Sequence, residues 1–215
     1  MRISVIVPVH NGGRIFRDCL AALQRTTYAD WECVVVDDGS TDGSGAWAAA
    51  QGARVVQVTP KRGPAYARNC GAQTAVGDVL LFIDADVLVQ PQTVGEVAAV
   101  MQAHPDVAAL FGSYDAAPGQ ANFLSQYRNL QHHFVHQRSS PEASTFWSGC
   151  GAIRRSLFLE MGGFDTVTYP LPSIEDIELG YRLAAAGRRV RLEKTLQVRH
   201  MKRWTARSVL VTDIR

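Results

Sequence analysis

Four stretches of this 215-residue chain run from apolar residues straight into residues that can do chemistry. The sharpest is VLLFIDADV, where an apolar run enters Asp84-Ala85-Asp86. In an extended chain alternate residues face the same side, so the two carboxylates point together. Paired hard oxygens suit Mg²⁺ or Mn²⁺ held jointly with phosphate oxygens. The plainer reading is a pair of turn-forming aspartates. The second stretch, VVVDDGSTDGS, places Asp37 and Asp38 side by side where a core cannot take both. A carboxylate here can accept from a base N–H or from ribose hydroxyls. Thr41 or Asp42, in contrast, reads as the cap of a following helix. The third, IVPVHNGG, ends an apolar run at Pro8, Val9, His10 and Asn11 before two glycines. Glycines let backbone approach a ligand, and the next helix offers its N-terminus, although any strand-to-helix turn wants small residues. The fourth, RGPAYARN, opens a helix at Gly63-Pro64 and places Arg68 about one turn in. That arginine can pair with a phosphate or orient an aspartate; a solvated helix face is the plainer alternative.

The elements that must hold these groups are legible in the hydrophobic pattern. Short β-branched runs at Ile3–Val9, Cys33–Asp37, Arg54–Thr59, Val79–Asp84 and Val107–Phe111 alternate with segments of helical period. That order predicts an α/β fold with a mostly parallel central sheet and helices on both faces. Ligands of such sheets bind beyond the carboxyl ends of the strands, where the four stretches lie. In the second half, Gln120–Gln137 reads as a helix carrying Phe123, Tyr127 and Phe134, and Thr145–Ile153 as a strand broken by small residues. Glu175–Ala186 reads as a helix closed by Gly187, and Val190–Leu192 and Leu196–Val198 as two short strands.

Composition narrows the function classes. Hydrophobic residues make up 47% of the chain and charged residues 20%, enough to bury one core. The net charge of +2 does not call for nucleic acid, and no aromatic platform is interleaved with the basic residues. Ten of the 22 Lys and Arg fall between Arg182 and Arg215, opposed only by Glu193 and Asp213. Such a basic end suits a diphosphate, an anionic acceptor or an anionic membrane surface. Cys19, Cys33, Cys70 and Cys150 are scattered, which predicts free thiols in a reducing compartment. The opening MRISVIVPVHNGG predicts a strand and not a signal peptide, and no apolar run reaches the length of a membrane span. The expected location is therefore the cytoplasm, at the inner face of the plasma membrane if the basic end binds it.

SVIVPVHNG, VVVDDGSTDGS, GPAYARNCGA, LLFIDADV, SGCGAIRRSLFLEMGGFD and IEDIELGYRL follow one another in that order. Together they resemble the family-2 glycosyltransferases over about Ile3 to Thr205. The resemblance implies the GT-A fold for a catalytic domain over 1–204, with a basic amphipathic segment over 205–215. It implies that Pro8, Val9, His10 and Asn11 hold a nucleotide base and ribose, that Asp38 reads the base, and that Gly63 and Arg68 lie along the nucleotide. Asp86 would ligate Mn²⁺ or Mg²⁺ and Asp84 would sit near the ribose or donor sugar. His200 would complete the metal shell or touch the diphosphate, a role open to a neutral imidazole, with a surface histidine as the alternative. Trp147, Gly149, Cys150 and Gly151 would line the donor sugar and acceptor side. Glu175-Asp176 matches the family's catalytic ED pair, with Asp176 as the base of an inverting reaction. Arg182 would support the diphosphate or pair within its helix, and Lys202, Arg203 and Trp204 would close over the donor.

The implied activity is transfer of a sugar from a nucleotide-diphosphate donor, UDP favoured, to a hydroxyl of a glycan or glycolipid. A base at Asp176 argues against a lipid phosphate acceptor, which is already anionic and needs none. Competing expectations are a sugar-nucleotide pyrophosphorylase, disfavoured because HNGGRIF is a poor glycine-rich loop, and a non-catalytic nucleotide-sugar-binding module. The end WTARSVLVTDIR, with Trp204, Val209, Leu210 and Ile214 among arginines, carries a separate expectation of an amphipathic helix at an anionic membrane.

Overall fold

The computed structural model describes residues 1–213. The chain alternates strand and helix through its first half: β1 (Ile3–Val9), α1 (Gly13–Leu23), β2 (Trp31–Asp38), α2 (Ser44–Ala50), β3 (Arg54–Val58), α3 (Pro64–Thr74) and β4 (Val79–Ile83). Then come β5 (Val87–Leu88), α4 (Thr93–Ala103), β6 (Val107–Tyr114) and α5 (Phe123–Arg138). The remainder is β7 (Glu142–Ala143), β8 (Cys150–Arg154), α6 (Arg155–Glu160), α7 (Glu175–Ala185), β9 (Arg189–His200) and α8 (Ala206–Asp213).

The strands join in the order β3-β2-β1-β4-β8-β6-β9-β5, with β7 also on β9. β3, β2, β1 and β4 pair in parallel. β8 is antiparallel to both β4 and β6, so β6 and its parallel partner β9 point the same way as β4. The central sheet is therefore mostly parallel, as the pattern predicted, with β8 reversed inside it and the two-residue strands β5 and β7 antiparallel to β9. Every residue of β1, β4 and β6 is buried, because helices cover both faces. One face packs Phe16, Leu20, Val97 and Met101 of α1 and α4 against the sheet; the other packs Ala67, Phe158, Leu179 and Leu183 of α3, α6 and α7.

Three features depart from the sequence reading. The expected strand Thr145–Ile153 begins only at Cys150, and residues 145–149 run as a loop against α7. The two short strands expected over 190–198 are one twelve-residue strand, β9. Its register against β6 slips between Phe111 and Ser113, which lets the charged Glu193-Lys194-Thr195 interrupt the apolar pattern without ending the strand. The two-residue strands β5 and β7 were too short to carry a period. At the end of the chain α8 forms as expected, while Ile214 and Arg215 lie outside the described residues.

Candidate active site

The carboxyl ends of β1, β2, β3 and β4 open onto one cleft. Its first part is a cavity of about 610 Å³ lined by Pro8, Val9, His10, Asp38, Gly63 and the loop at Pro170–Pro172. Asp38 is buried, and its two oxygens accept the backbone N–H groups of Arg62 and Gly63, each at 2.7 Å. The carboxylate thus clamps the loop after β3 to the end of β2. His10 Nδ1 lies 2.9 Å from the Asp38 carbonyl, which seats the imidazole on the same wall. Gly63 sits at φ 93°, and a Cβ there would come within 2.8 Å of the Pro170 carbonyl, so only glycine fits. The N-cap of α2 is Gly43 and not Thr41 or Asp42; from one residue before it Asp42 accepts from Ser44 N and, across the turn, from Gly13 N. Asn11 is spent on the same turn: its Oδ1 accepts from Thr41 N at 2.7 Å.

The cleft continues over an acidic floor. Arg68, its side chain only 5% exposed, donates to Asp84 Oδ1 at 2.6 Å and reaches Glu175 Oε1 at 3.4 Å. Burial opposes its charge, but Asp84, Glu175 and Asp176 together hold it firmly protonated. Burial pushes the Asp84 carboxyl above the usual range, and neighbouring Asp86 adds to that, while Arg68 pulls it back. Asp86 behaves oppositely. Burial pushes it up too, but His200 beside it, with Lys202 nearby, outweighs burial and holds it low. His200 Nε2 stands 3.6 Å from Asp86 Oδ2, and its ring is stacked on Tyr114 at 4.4 Å between centroids. The Met201 N–H donates to the Asp86 carbonyl, so the end of β9 is fastened directly to the DxD turn. Lys202 and Arg203 then form a basic wall of the cleft.

Asp176 stands at the first turn of α7, opposite Asp84 and Asp86. Its Oδ2 accepts from both the N–H and the hydroxyl of Ser148 at 3.0 Å, and its Oδ1 accepts from Ile177 N at 2.9 Å. The carboxylate is therefore fixed in one orientation. It lines the cleft and also a second cavity of about 640 Å³ that lies beyond Trp147. That second cavity is aromatic: Tyr114, His132, His136, Phe146, Trp147 and Trp204 line it. Trp147 meets Tyr114 edge-on at 4.9 Å and His132 at 4.6 Å, and it separates the two cavities. Burial pushes His132 down to about 3, helped by His136, His200 and His133, so its imidazole is neutral.

Several expected residues lie elsewhere or act differently. Arg182 is not part of the cleft. Its guanidinium donates to Glu178 Oε1 and to the carbonyls of Met161 and Gly163, so all its nitrogens are engaged in holding α7 to the loop after α6. Cys150 is fully buried in β8 beside Ile83, its thiol pushed up to about 12 by burial and by Asp84. Gly149 and Gly151 are small because the Trp147 ring, the Trp147 carbonyl and the Phe146 ring occupy the space a Cβ would need. They make room for the protein's own loop. Glu175 is buried, accepting from Ser173 N at 2.8 Å and facing Arg68; it positions the floor. Sequence reasoning gave no role of its own to Ser148, within the stretch expected to line the sugar, and passed over Tyr114 and His132. Ser148 lay within a quoted motif, but nothing local marks a serine as the orienter of a carboxylate 28 residues away.

A family model described as glycosyl transferase family 2 matches residues 4–162, most of the chain. The chain belongs to that family. The validoxylamine A glucosyltransferase of Streptomyces hygroscopicus subsp. jinggangensis is 30% identical over 221 residues, covering 86% of this chain and 52% of the relative. Two solved structures share the fold. The mannosyltransferase PcManGT of Pyrobaculum calidifontis, in complex with GDP-Man and Mn²⁺, superposes with a TM-score of 0.75 at 24% identity, over 97% of this chain and 59% of that one. S. aureus TarS 1-349, in complex with UDP-GlcNAc, gives 0.75 at 23% identity, over 95% and 60%. The family-2 chain described here is thus a GT-A fold. It spans less than two thirds of the length of the curated relatives it matches. No helix among its described residues is long and apolar enough to cross a membrane.

Proposed function

We propose that this family-2 protein transfers a sugar, with inversion, from a nucleoside-diphosphate donor to a hydroxyl of a glycan or glycolipid. The observation that carries this reading is the position of Asp176: one carboxylate, held by Ser148, shared by the donor cleft and by the aromatic cavity beyond Trp147. The base and ribose fit the wall of Pro8, His10 and Asp38. The diphosphate fits between Asp84-Ala85-Asp86 and the basic pair Lys202 and Arg203. The acceptor fits the second cavity, where Trp147 offers a flat apolar face to a sugar ring and neutral His132 a hydrogen-bond partner to a hydroxyl.

Among the described residues no group of three or more His, Cys, Asp and Glu stands together to hold a metal. Asp86 and His200 alone make a two-residue donor set, and that suits a divalent ion bound together with substrate phosphates. These two would hold Mn²⁺ or Mg²⁺, which would neutralise charge on the departing diphosphate. The other steps belong to the chain's own groups. Asp176 Oδ takes the acceptor proton as the acceptor oxygen attacks the anomeric carbon. The bond from that carbon to the diphosphate oxygen breaks with its electron pair on the leaving nucleotide. Lys202 and Arg203 face the charge that develops there. Asp84, fixed by Arg68, is placed to orient the donor's hydroxyls. PcManGT holds a GDP-sugar and TarS a UDP-sugar on the same fold, so the base favoured from sequence, uracil, needs its own test.

The test is a panel of UDP-, GDP- and dTDP-sugars with Mn²⁺, with Mg²⁺ and with chelator, read by thermal shift and by nucleotide release. One nucleotide should stabilise the protein only with metal, and Asp86→Ala should abolish that response. Asp176→Asn should keep the thermal shift and lose about 10²- to 10⁴-fold in turnover, the usual contribution of a general base. No response to any nucleoside diphosphate would end the donor reading. Full turnover in Asp176→Asn would remove the base.

A further inference from the structure

α5 is built inside out. Its polar side chains face the sheet. Asn129 Nδ2 donates to the Asp115 carbonyl at 2.9 Å, while His133 Nδ1 and His136 Nδ1 lie 2.7 and 3.1 Å from the carbonyls of Tyr114 and Gly112. Buried Ser125 accepts from Trp204 N at 2.8 Å. These are carbonyls of β6 and its end, where the register to β9 slips. The opposite face of the helix is apolar and in the open. Phe123 is 77% exposed, Tyr127 52%, Leu130 40%, Phe134 62% and Val135 51%. Phe123, Tyr127, Leu130 and Phe134 recur at helical spacing, so they form one stripe along a 16-residue helix, with Val135 to one side of it. Scattered exposed apolar residues are ordinary; a continuous aromatic stripe is a contact surface.

Charge indicates what covers it. From Ala116 to Pro141 the chain contains no acidic residue, and from Met201 to its end only Asp213. Exposed Arg138 ends the stripe, its guanidinium over the Phe134 ring at 5.5 Å. At the other end Asn122 Nδ2 donates to the Trp204 carbonyl, which ties the exposed Arg207 and the exposed Leu210 of α8 to the start of α5. Aromatics and Leu between arginines, with no carboxylate among them, match the boundary of an anionic bilayer, where rings enter the headgroup region and guanidinium groups meet phosphates. A second copy is the poorer occupant. Antiparallel packing of two α5 stripes would set Arg138 of one chain toward Arg207 of the other, like charge against like.

We infer that α5, with α8 beside it, is a docking face for an anionic membrane surface. The inference rests on exposure and charge, and stands whether or not the chain transfers a sugar. It has a consequence for the second cavity: exposed Gln131 and Val135 of α5 and Thr212 of α8 also line it, so docking would set its rim at the lipid headgroups.

The test is co-sedimentation of the full chain with vesicles of phosphatidylcholine alone and of phosphatidylcholine mixed with phosphatidylglycerol, at low and high salt. The mixed vesicles should bind it more tightly, and salt should reduce the difference. The triple substitution F123S/Y127S/F134S should weaken binding to mixed vesicles by about 100-fold or more, each ring being an apolar anchor, with no fall in the unfolding midpoint. R138Q/R207Q should bind both vesicle types alike. Absence of binding at low salt would overturn the inference, as would a folded triple variant that binds like the wild type. So would a concentration-dependent dimer that the triple substitution dissolves, since a second copy would then own the face.

Discussion

The carboxylates of the cleft lie together although their surroundings differ. Asp86 is held low by His200 and Asp84 is pushed up by burial, two residues apart on one turn. What reconciles four acids in one floor is Arg68, buried between Asp84 and Glu175. Removing one partner of a buried ionic group leaves the others uncompensated, which costs about 3–5 kcal/mol. Arg68→Met should therefore lower the unfolding free energy by about that amount in urea titrations. A surface arginine such as Arg14, 93% exposed and only loosely near Asp18, should cost nothing measurable when replaced. An Arg68→Met protein as stable as the wild type would mean that the floor acids are neutral or hydrated, and the role given to Arg68 would fall.

At the scale of elements, the site depends on how closely α7 approaches the loop before β8. Gly180 makes that approach possible: a Cβ there would run into the backbone of Thr145 and Phe146. Alanine is the better helix former by about 1 kcal/mol, so on propensity alone Gly180→Ala would stabilise the protein. Overpacking against backbone costs about 1–3 kcal/mol and cannot be relieved by a rotamer change. The clash should win. We expect Gly180→Ala to lower the unfolding midpoint and, by shifting α7, to loosen Asp176 from Ser148 and reduce turnover while nucleotide binding is kept. A gain in stability would show that the loop moves freely and is no support for Asp176.

For the whole molecule, the half-buried histidines of α5 work against stability in acid. His132 is held down to about 3 by burial and by His136, His200 and His133, while in the unfolded chain it titrates near its ordinary value of 6.5. Between those values the unfolded state binds a proton that the folded state refuses. Stability contributed by neutral His132 is thus intact above about pH 6.5 and declines as pH falls from there toward 3. His136 is lowered for the same reason, though its bond to the Gly112 carbonyl opposes the shift. Urea midpoints measured from pH 7.5 down to 4.5 should fall more steeply for the wild type than for His132→Gln. Equal slopes would mean that water reaches His132 through the second cavity.

Strands β1, β2 and β4 and the carboxylates after β2 and β4 were legible in the sequence, because a strand buried on both faces must be a continuous apolar run; β3, at the sheet edge, showed only as a short β-branched run. IVPV and LLFIDAD each mark where burial gives way to the cleft, whereas in VVVDD both aspartates stay buried. The order of six motifs likewise fixed the family. What remained hidden depends on partners distant in the chain. Nothing local to SGCGAIR indicates that β8 enters reversed between β4 and β6, which is what brings Ser148 and Trp147 to the cleft. Nothing local to α7 separates Asp176, facing both cavities, from Arg182, spent on carbonyls of the loop after α6. α5 reads as a helix with aromatics, but which face turns inward was decided by the carbonyls of Gly112, Tyr114 and Asp115, which take its polar side chains and leave its apolar ones outside. Periodicity reports how a segment's own residues divide into faces. Which face is buried is set by the hydrogen-bonding groups the rest of the chain presents to it, and those exist only once the sheet has closed.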